Sequence, residues 1–372
     1  MSRGSIHRLP VLLALAACTA ETPASPVRAP EAASAIVASS GTVIMSGLDA
    51  PRGLAWGPDG NLYVVEAGTA VAPGPCVALA RGTNCYSGTG AITRLQRGRQ
   101  ERVKSGLPSG YNPATLDIGG PSDISFVARG DAYVTLGWGG PPALRAGMGP
   151  RGNEFGTLIV FSPSGQQRTI ADVSAFEASF NPGGGPIDSN PYGVLAEGEE
   201  RFVTDAGGNS LLRVAPNGSV SLVATFPSIP VPPGPPFNPP FAQSEAVPTA
   251  VTRGPDGALY VSTLTGAPFL PGAASVYRVV TGQQPTVYAA GLTQVIDIAW
   301  GADGSLYALQ YASAPFFSGP GSVVRIAPSG ARSVVVSGLS HPTALLVGTD
   351  DAIYVSNNGD LPSVGEVLRF TQ

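Results

Sequence analysis

Six copies of one pattern run through this chain: an apolar run usually led by proline, a tight turn with aspartate or glycine, and a strand rich in tyrosine and valine. The copies begin at Pro51, Pro121, Pro191, Pro248, Val295 and Pro342. Successive starts are 70, 70, 57, 47 and 47 residues apart, so the repeated unit is constant and the inserts vary. A repeat of about 40–50 residues that carries paired apolar strands is typical of a β-propeller blade. The sequence therefore predicts an all-β, six-bladed β-propeller.

Each blade is expected to contain four antiparallel strands. In the first copy these are residues 53–56, 61–66, 91–96 and 101–105, and the Asp59-Gly60 turn suits the hairpin between the first two. The last copy supplies only three strands, whereas Gly41–Ser46 has the pattern of an outer strand with no blade of its own. Pairing of this N-terminal strand in the C-terminal blade would close the ring and remove its free edges.

The connections differ greatly in length, and the long ones share one face of the predicted ring. The turns within the inner and outer strand pairs are short, and they lie on the opposite face. Long loops on a rigid scaffold commonly carry function. The long loops are Ala67–Gly90, Gly137–Gly156, Ser174–Asn190, Phe226–Val247 and Thr263–Ala274.

Composition agrees with a turn-rich β domain and excludes some partners. Only 12% of the 372 residues are charged, and there are 49 glycines and 37 prolines. The formal net charge is −4, which disfavours nucleic acid and anionic membrane surfaces as partners. A membrane contact is expected only through an N-terminal lipid, and the chain is expected to be a monomer.

The N-terminus predicts export. Residues 1–18 combine a basic start with a short apolar run, and Leu15-Ala16-Ala17-Cys18 resembles the bacterial lipobox, in which the cysteine is lipidated. The alternative is an ordinary secretory signal cut after Ala20. Residues 19–40 are rich in Ala, Pro and Ser, as a tether would be, and residues 41–372 form the propeller. The protein is thus expected in the periplasm, on the outer membrane as a lipoprotein, or secreted.

Two further cysteines lie close together in one loop. Cys76 and Cys85 are nine residues apart, and in an oxidising compartment they are expected to form a disulfide. A metal pair is the alternative, but neither further thiols nor histidines lie near them in the sequence.

Several segments carry a family resemblance: SGLDAPRGLAWGPDGNLYVVEAG from Ser46, GPSDIS from Gly120, NPYGVLAEGEERFVTDAGGNSLLRV from Asn190 and SGLSHPTALLVGTDDAIYVSNNG from Ser337. The blade around Phe202–Val214 resembles NHL-type blades, within the wider group of NHL-like and SMP-30-like propellers. From Thr42 to Phe370, the chain is similar to the ScyD/ScyE family of exported six-bladed propellers. The resemblance implies export and the propeller fold, and it supplies neither a reaction nor catalytic residues.

Polar residues at strand ends on the long-loop face are candidates for ligand contacts. They are Glu66, Asp123, Trp138, Asn190, Asp205, Asp297, His341 and Asn357. Five of them could surround the mouth of the propeller's central channel and supply oxygen ligands suited to Ca²⁺ or Mg²⁺: Glu66, Asp123, Asp205, Asp297 and Asn357. The alternative is that each caps a strand end or accepts a backbone N–H. Trp138 is a candidate for stacking on a ligand or for packing within its loop.

No catalytic template fits the sequence. The chain lacks a nucleophile elbow, a phosphate-binding glycine loop and zinc-ligand spacing, and His341 is its only histidine beyond the leader. Lactonase-type propellers begin with Glu-Gly-Pro, where this chain has Asp49-Ala50-Pro51. The sequence therefore favours a binding or accessory module for a small molecule, a glycan or a protein. The alternative is a metal-assisted hydrolase or lactonase using Ca²⁺ or Mg²⁺.

Overall fold

The computed structural model describes residues 41–70, 74–234 and 242–371. The predicted signal (1–18), with the lipidation candidate Cys18, and the predicted tether (19–40) lie outside the described residues. None of the described helices is long and apolar enough to cross a membrane.

Six four-stranded antiparallel sheets each contain one copy of the repeat, and they are called blades 1 to 6 in chain order. Blade 1 consists of Pro51–Trp56, Leu62–Glu66, Gly90–Gln96 and Arg99–Leu107. Blade 2 consists of Pro121–Phe126, Ala132–Leu136, Thr157–Phe161 and Gln167–Asp172. Blade 3 consists of Pro191–Glu197, Glu200–Asp205, Ser210–Val214 and Val220–Thr225. Blade 4 consists of Pro248–Arg253, Leu259–Thr263, Ala274–Val279 and Thr286–Leu292. Blade 5 consists of Val295–Trp300, Leu306–Gln310, Gly321–Ile326 and Arg332–Leu339.

Blade 6 confirms the predicted closure. Its strands are Ala344–Val347, Ile353–Asn357, Gly365–Phe370 and, as the outermost, the N-terminal strand Thr42–Leu48. The first strand of each blade contacts that of the next, and blade 6 contacts blade 1. The Thr343 hydroxyl of blade 6 also donates to the Pro51 carbonyl of blade 1, at 2.7 Å. The predicted all-β propeller is therefore confirmed.

The hydrophobic core lies between neighbouring blades. Six separate clusters of buried residues fill the six junctions, including the one between blades 6 and 1. At that junction, Met45 and Leu48 of the closing strand pack with Leu54 and Leu62 of blade 1. Alternating strand residues supply these clusters because successive side chains point to opposite faces of a sheet. Each blade is thus covered by its two neighbours.

On the short-turn face, aspartates of the hairpin turns make contacts within their own blades. Asp256, Asp303 and Asp350 each accept the backbone N–H two residues on, and each pairs with an arginine of the third strand. Arg325 holds the pKa of Asp303 well below its ordinary value, at about 2. These aspartates stabilise the hairpin turns.

The long-loop face contains more regular structure than the sequence predicted. The segment 67–90, expected as a stapled loop, forms the hairpin Cys76–Leu79 and Gly82–Tyr86. With Gly110–Tyr111 and Ile118–Gly119 it makes an extra four-stranded sheet, called the loop sheet here. The predicted Cys76–Cys85 disulfide is present, and a small core around Tyr111 and Ile118 supports the sheet.

Other long loops are also structured. Val173–Phe180 is an α-helix capped by Asp172, whose side chain accepts the Ala175 N–H. Two 3-10 turns, Pro142–Met148 and Gly152–Glu154, fold the loop within blade 2. Ile229–Pro230 pairs with Gln243–Ser244 between blades 3 and 4.

Candidate functional site

A cavity of about 340 Å³ opens on the long-loop face over the first strands of the blades. The second residue of the first strand lines it in four blades: Arg52, Ser122, Tyr192 and Ile296. The strand pairing shifts register directly after the first residue of those strands. Such a bulge re-aims the side chain that follows it, which explains why these positions face the opening.

Loops complete the wall of the cavity. The loop sheet contributes one side, which includes Leu79, Arg81 and Asn84. The opposite side comes from the loops between the second and third strands of blades 4, 5 and 6, through Leu264, Tyr311, Phe317 and Asp360. The cavity therefore has a mixed polar side and a largely apolar, aromatic side.

Two of the predicted ligand-face residues line this cavity, but both also support the loops. Trp138 is only 5% exposed, its indole N–H donates to the Pro141 carbonyl at 3.0 Å, and its ring packs on Phe155. The Asn190 side-chain oxygen accepts the Trp138 backbone N–H at 3.0 Å. Loop packing, the alternative weighed for Trp138, describes most of its contacts.

His341 does not line the cavity but contacts two residues that do. Its ring stacks on Tyr311 with the centroids 5.5 Å apart, and its Nδ1 lies 3.1 Å from a carboxylate oxygen of Asp360. Tyr311 and Asp360 both line the cavity, whereas His341 does not. His341 therefore positions wall residues.

Three candidates at the ends of second strands are buried and do not line the cavity. Glu66 and Asp205 have no exposed surface, and Asn357 has little. Their side-chain oxygens accept backbone N–H groups of the incoming loop, from Asp49, Asn190 and Ser340. These residues tie each strand end to the preceding connection, as the structural alternative predicted.

Glu66 and Asp205 have further partners. Arg102 donates to Glu66 at 2.5 Å, and the Thr93 hydroxyl also reaches that carboxylate. Asp205 accepts the Ser189 hydroxyl at 2.7 Å and the Gly208 N–H at 3.0 Å. Burial nevertheless raises the pKa of Asp205 to about 6.

Asp123 and Asp297 occupy the same position in blades 2 and 5 and make the same contacts. Each accepts the N–H of the following residue with one oxygen. With the other, each accepts an N–H of the next blade, from Val194 at 2.8 Å and from Leu345 at 2.7 Å. Burial raises the pKa of Asp123 to about 7, and burial together with the Asp123 charge raises the pKa of Asp297 well above its ordinary value. Both carboxyls therefore join neighbouring blades.

The four carboxylates among the candidate metal ligands are not grouped around one metal position in the described ranges. In the ranges that the structure describes, no group of three or more His, Cys, Asp or Glu side chains is placed to hold one metal ion. The expected Ca²⁺ or Mg²⁺ site therefore lacks a ligand set there, and the hydrolase alternative that depends on it stays a prediction.

Two features escaped the sequence-based reasoning. One is the set of second-position residues in the first strands, whose only signal is that this position varies widely among the copies while the position before it is proline or valine. The other is Glu177, a buried residue of the helix Val173–Phe180 whose Oε2 has no hydrogen-bond partner among the residues that the structure describes. Burial, and then the nearby charges of Asp205 and Asp188, raise the pKa of Glu177 to about 7.

Comparison with known proteins places the chain by fold alone. No family model matches it, and no curated protein does. Solved structures that resemble it include a catalytically inactive virginiamycin B lyase from Staphylococcus aureus with quinupristin (12% identity, TM-score 0.47, covering 88% of this chain and 84% of that one). A second is a glucose dehydrogenase, with 14% identity and a TM-score of 0.48, covering 89% of this chain and 99% of that one. A third is an auxiliary nutrient binding protein from Bacteroides thetaiotaomicron, with 8% identity and a TM-score of 0.49, covering 87% of this chain and 70% of that one. At these identities the likeness says nothing about activity or ligand.

Proposed function

We propose that the chain is an exported propeller that binds a small molecule in the cavity on its long-loop face. The observation that carries this proposal is the cavity itself, which is formed by first-strand residues of four blades and by the loop sheet. Its volume of about 340 Å³ lies within the ~300–1,000 Å³ of small-molecule sites. Polar side chains line one side and aromatic rings the other, as is usual in such sites.

The test is capture of a ligand by the intact protein and its loss when the cavity is filled. Gly119 lines the cavity, and a Cβ added there would meet no atom within 4 Å. Gly119→Trp should therefore place its ring in the cavity without disturbing the backbone. Ala331→Trp, on an exposed residue of the short-turn face, is the matched control.

Native mass spectrometry after incubation with an extract of small metabolites would detect capture. The wild type and Ala331→Trp should retain an added mass that Gly119→Trp does not. An added mass retained equally by Gly119→Trp would place binding elsewhere and contradict the proposal.

Export is the second part of the proposal. The Cys76–Cys85 disulfide supports it, because such bonds persist in oxidising compartments. We also propose that Cys18 carries a lipid and that the chain belongs to the ScyD/ScyE family, on the motifs described above. Labelling with a fatty acid should mark the wild type and not Cys18→Ser; equal labelling of both would contradict lipidation.

A further inference from the structure

We propose that the ligand of this cavity is an organic anion: Arg52 holds its acidic group, and an apolar, ring-sized body lies against the aromatic side. This inference rests on the proposed function and specifies the chemical class of the ligand.

Two arginines and two aspartates line the cavity, and Arg52 is the charge among them that favours an anion. Arg81 donates to Asp188 at 2.7 Å, and Asp360 accepts the Tyr311 hydroxyl at 3.4 Å, with the His341 Nδ1 3.1 Å from its other oxygen. Asp117 is exposed at the rim, where water solvates it. Arg52 is partly buried and takes part in no ion pair within the described part of the chain.

Arg52 is also well placed to receive an acidic group. One of its terminal nitrogens donates to the Ile118 carbonyl of the loop sheet at 2.8 Å, which steadies the side chain. A guanidinium has five N–H donors in a planar fork, so donors remain available beside those that face the Ile118 carbonyl and the neighbouring Tyr192 hydroxyl. That fork matches a carboxylate or phosphate, and a charge-assisted pair of this kind is about twice as strong as a neutral hydrogen bond.

The other side of the cavity suits a flat apolar body. Ile296, Leu264, Tyr192, Tyr311 and Phe317 line it. The Phe317 ring meets that of Tyr311 edge-on, with the centroids 5.2 Å apart. Aromatic side chains of this kind bind planar rings by stacked or edge-to-face contacts.

The backbone conformation at Phe317 helps to set where its ring lies. Phe316 and Phe317 have φ angles of 54° and 58°, in the left-handed region that bulky residues rarely adopt. Such strain is commonly found at ligand sites, where the surrounding structure maintains it. Here it keeps a large, 37% exposed apolar ring at the cavity mouth.

Matched pairs of acids and amides test the inference. The probes are indole-3-acetate and 2-naphthoate, each compared with its uncharged amide, and binding is followed by calorimetry. The acids should bind the wild type at least about tenfold more tightly than the amides, because a charge-assisted hydrogen bond contributes more than a neutral one.

Arg52→Gln should abolish this preference by weakening the acids to the affinity of the amides. Arg99→Gln, an identical change on an exposed residue of the same blade, should leave it intact. Amides that bind as tightly as acids, or acids that bind Arg52→Gln unchanged, would overturn the inference. Neither result would affect the capture experiment with Gly119→Trp, so failure of the anion assignment is distinguishable from failure of the binding proposal.

Discussion

Asp123 is a single carboxyl that makes the stability of the fold depend on the pH of the solution. Its pKa is about 7 in the folded protein against an ordinary value of 3.8, because burial outweighs its two backbone hydrogen bonds. The folded state therefore holds a proton that the unfolded chain has released between these values. Such a group contributes stability that is fully present below its unfolded pKa and is lost as the pH rises through the folded pKa.

We therefore expect the free energy of unfolding to fall as the pH rises from about 4 to about 7, with a slope of about 1.4 kcal/mol per pH unit for each such proton. Asp123→Asn should reduce that slope, which urea unfolding across the range would measure. Asp350→Asn is the control: its arginine partner lowers the pKa of Asp350, so its effect belongs below about pH 4. An unchanged slope in Asp123→Asn would contradict the assignment.

Glu177 is a residue whose charge costs stability. It is buried, its Oε2 has no hydrogen-bond partner within the described ranges, and Asp205 and Asp188 add like charge. Glu177→Gln should raise the free energy of unfolding at pH 8 by about 1–3 kcal/mol, because an unsatisfied buried charge is removed. Glu199→Gln, on an exposed turn, should leave it within about 0.5 kcal/mol. A less stable Glu177→Gln protein would mean that this carboxylate has a stabilising partner.

Among the elements of the fold, the loop sheet is the one whose stability rests on a disulfide. Its strands are short, and its core is a small cluster around Cys85, Tyr111 and Ile118. Joining Cys76 to Cys85 constrains the unfolded hairpin, which for a short loop contributes about 2–3 kcal/mol. The loop sheet forms one wall of the cavity, so its order and ligand binding are coupled.

Replacing both cysteines by serine should therefore loosen the loop sheet while the blades stay folded. Hydrogen exchange should accelerate at residues 76–86 and stay unchanged in the second strands of the blades. Exchange that accelerates equally throughout would show that the disulfide stabilises the whole ring instead.

The whole molecule depends on closure by the N-terminal strand. Thr42–Leu48 pairs with Gly365–Phe370, and Met45 is 1% exposed at the junction between blades 6 and 1. Met45→Ala should lower the free energy of unfolding by about 2–5 kcal/mol, because it leaves a cavity at the closing junction.

Val43→Ala is the matched control, since Val43 is 49% exposed on the same strand and should cost under about 0.5 kcal/mol. Urea unfolding would compare the two variants. Equal effects would mean that burial at the closing junction does not govern the stability of the ring.

Local patterns in the sequence determined the fold. The repeated apolar strand exemplified by Leu62–Glu66, the Asp-Gly turns and the unpaired strand near residue 42 predicted the blades and their closure, because strand propensity and turn chemistry act between near neighbours in the chain. The spacing of Cys76 and Cys85 likewise predicted the disulfide.

Only the tertiary structure decided which polar residues face the cavity and which form hydrogen bonds within the protein. Glu66 and Asp205 end strands as predicted, yet their carboxylates accept backbone N–H groups that lie 17 and 15 residues earlier in the chain. Arg52 faces the cavity because a register shift follows Pro51, and it lacks an ion-pair partner among the described residues because the nearby carboxylates have other neighbours or lie at the rim. Whether a side chain is buried, and which groups it contacts, depends on segments that are separated in the chain, so no local sequence pattern predicts it.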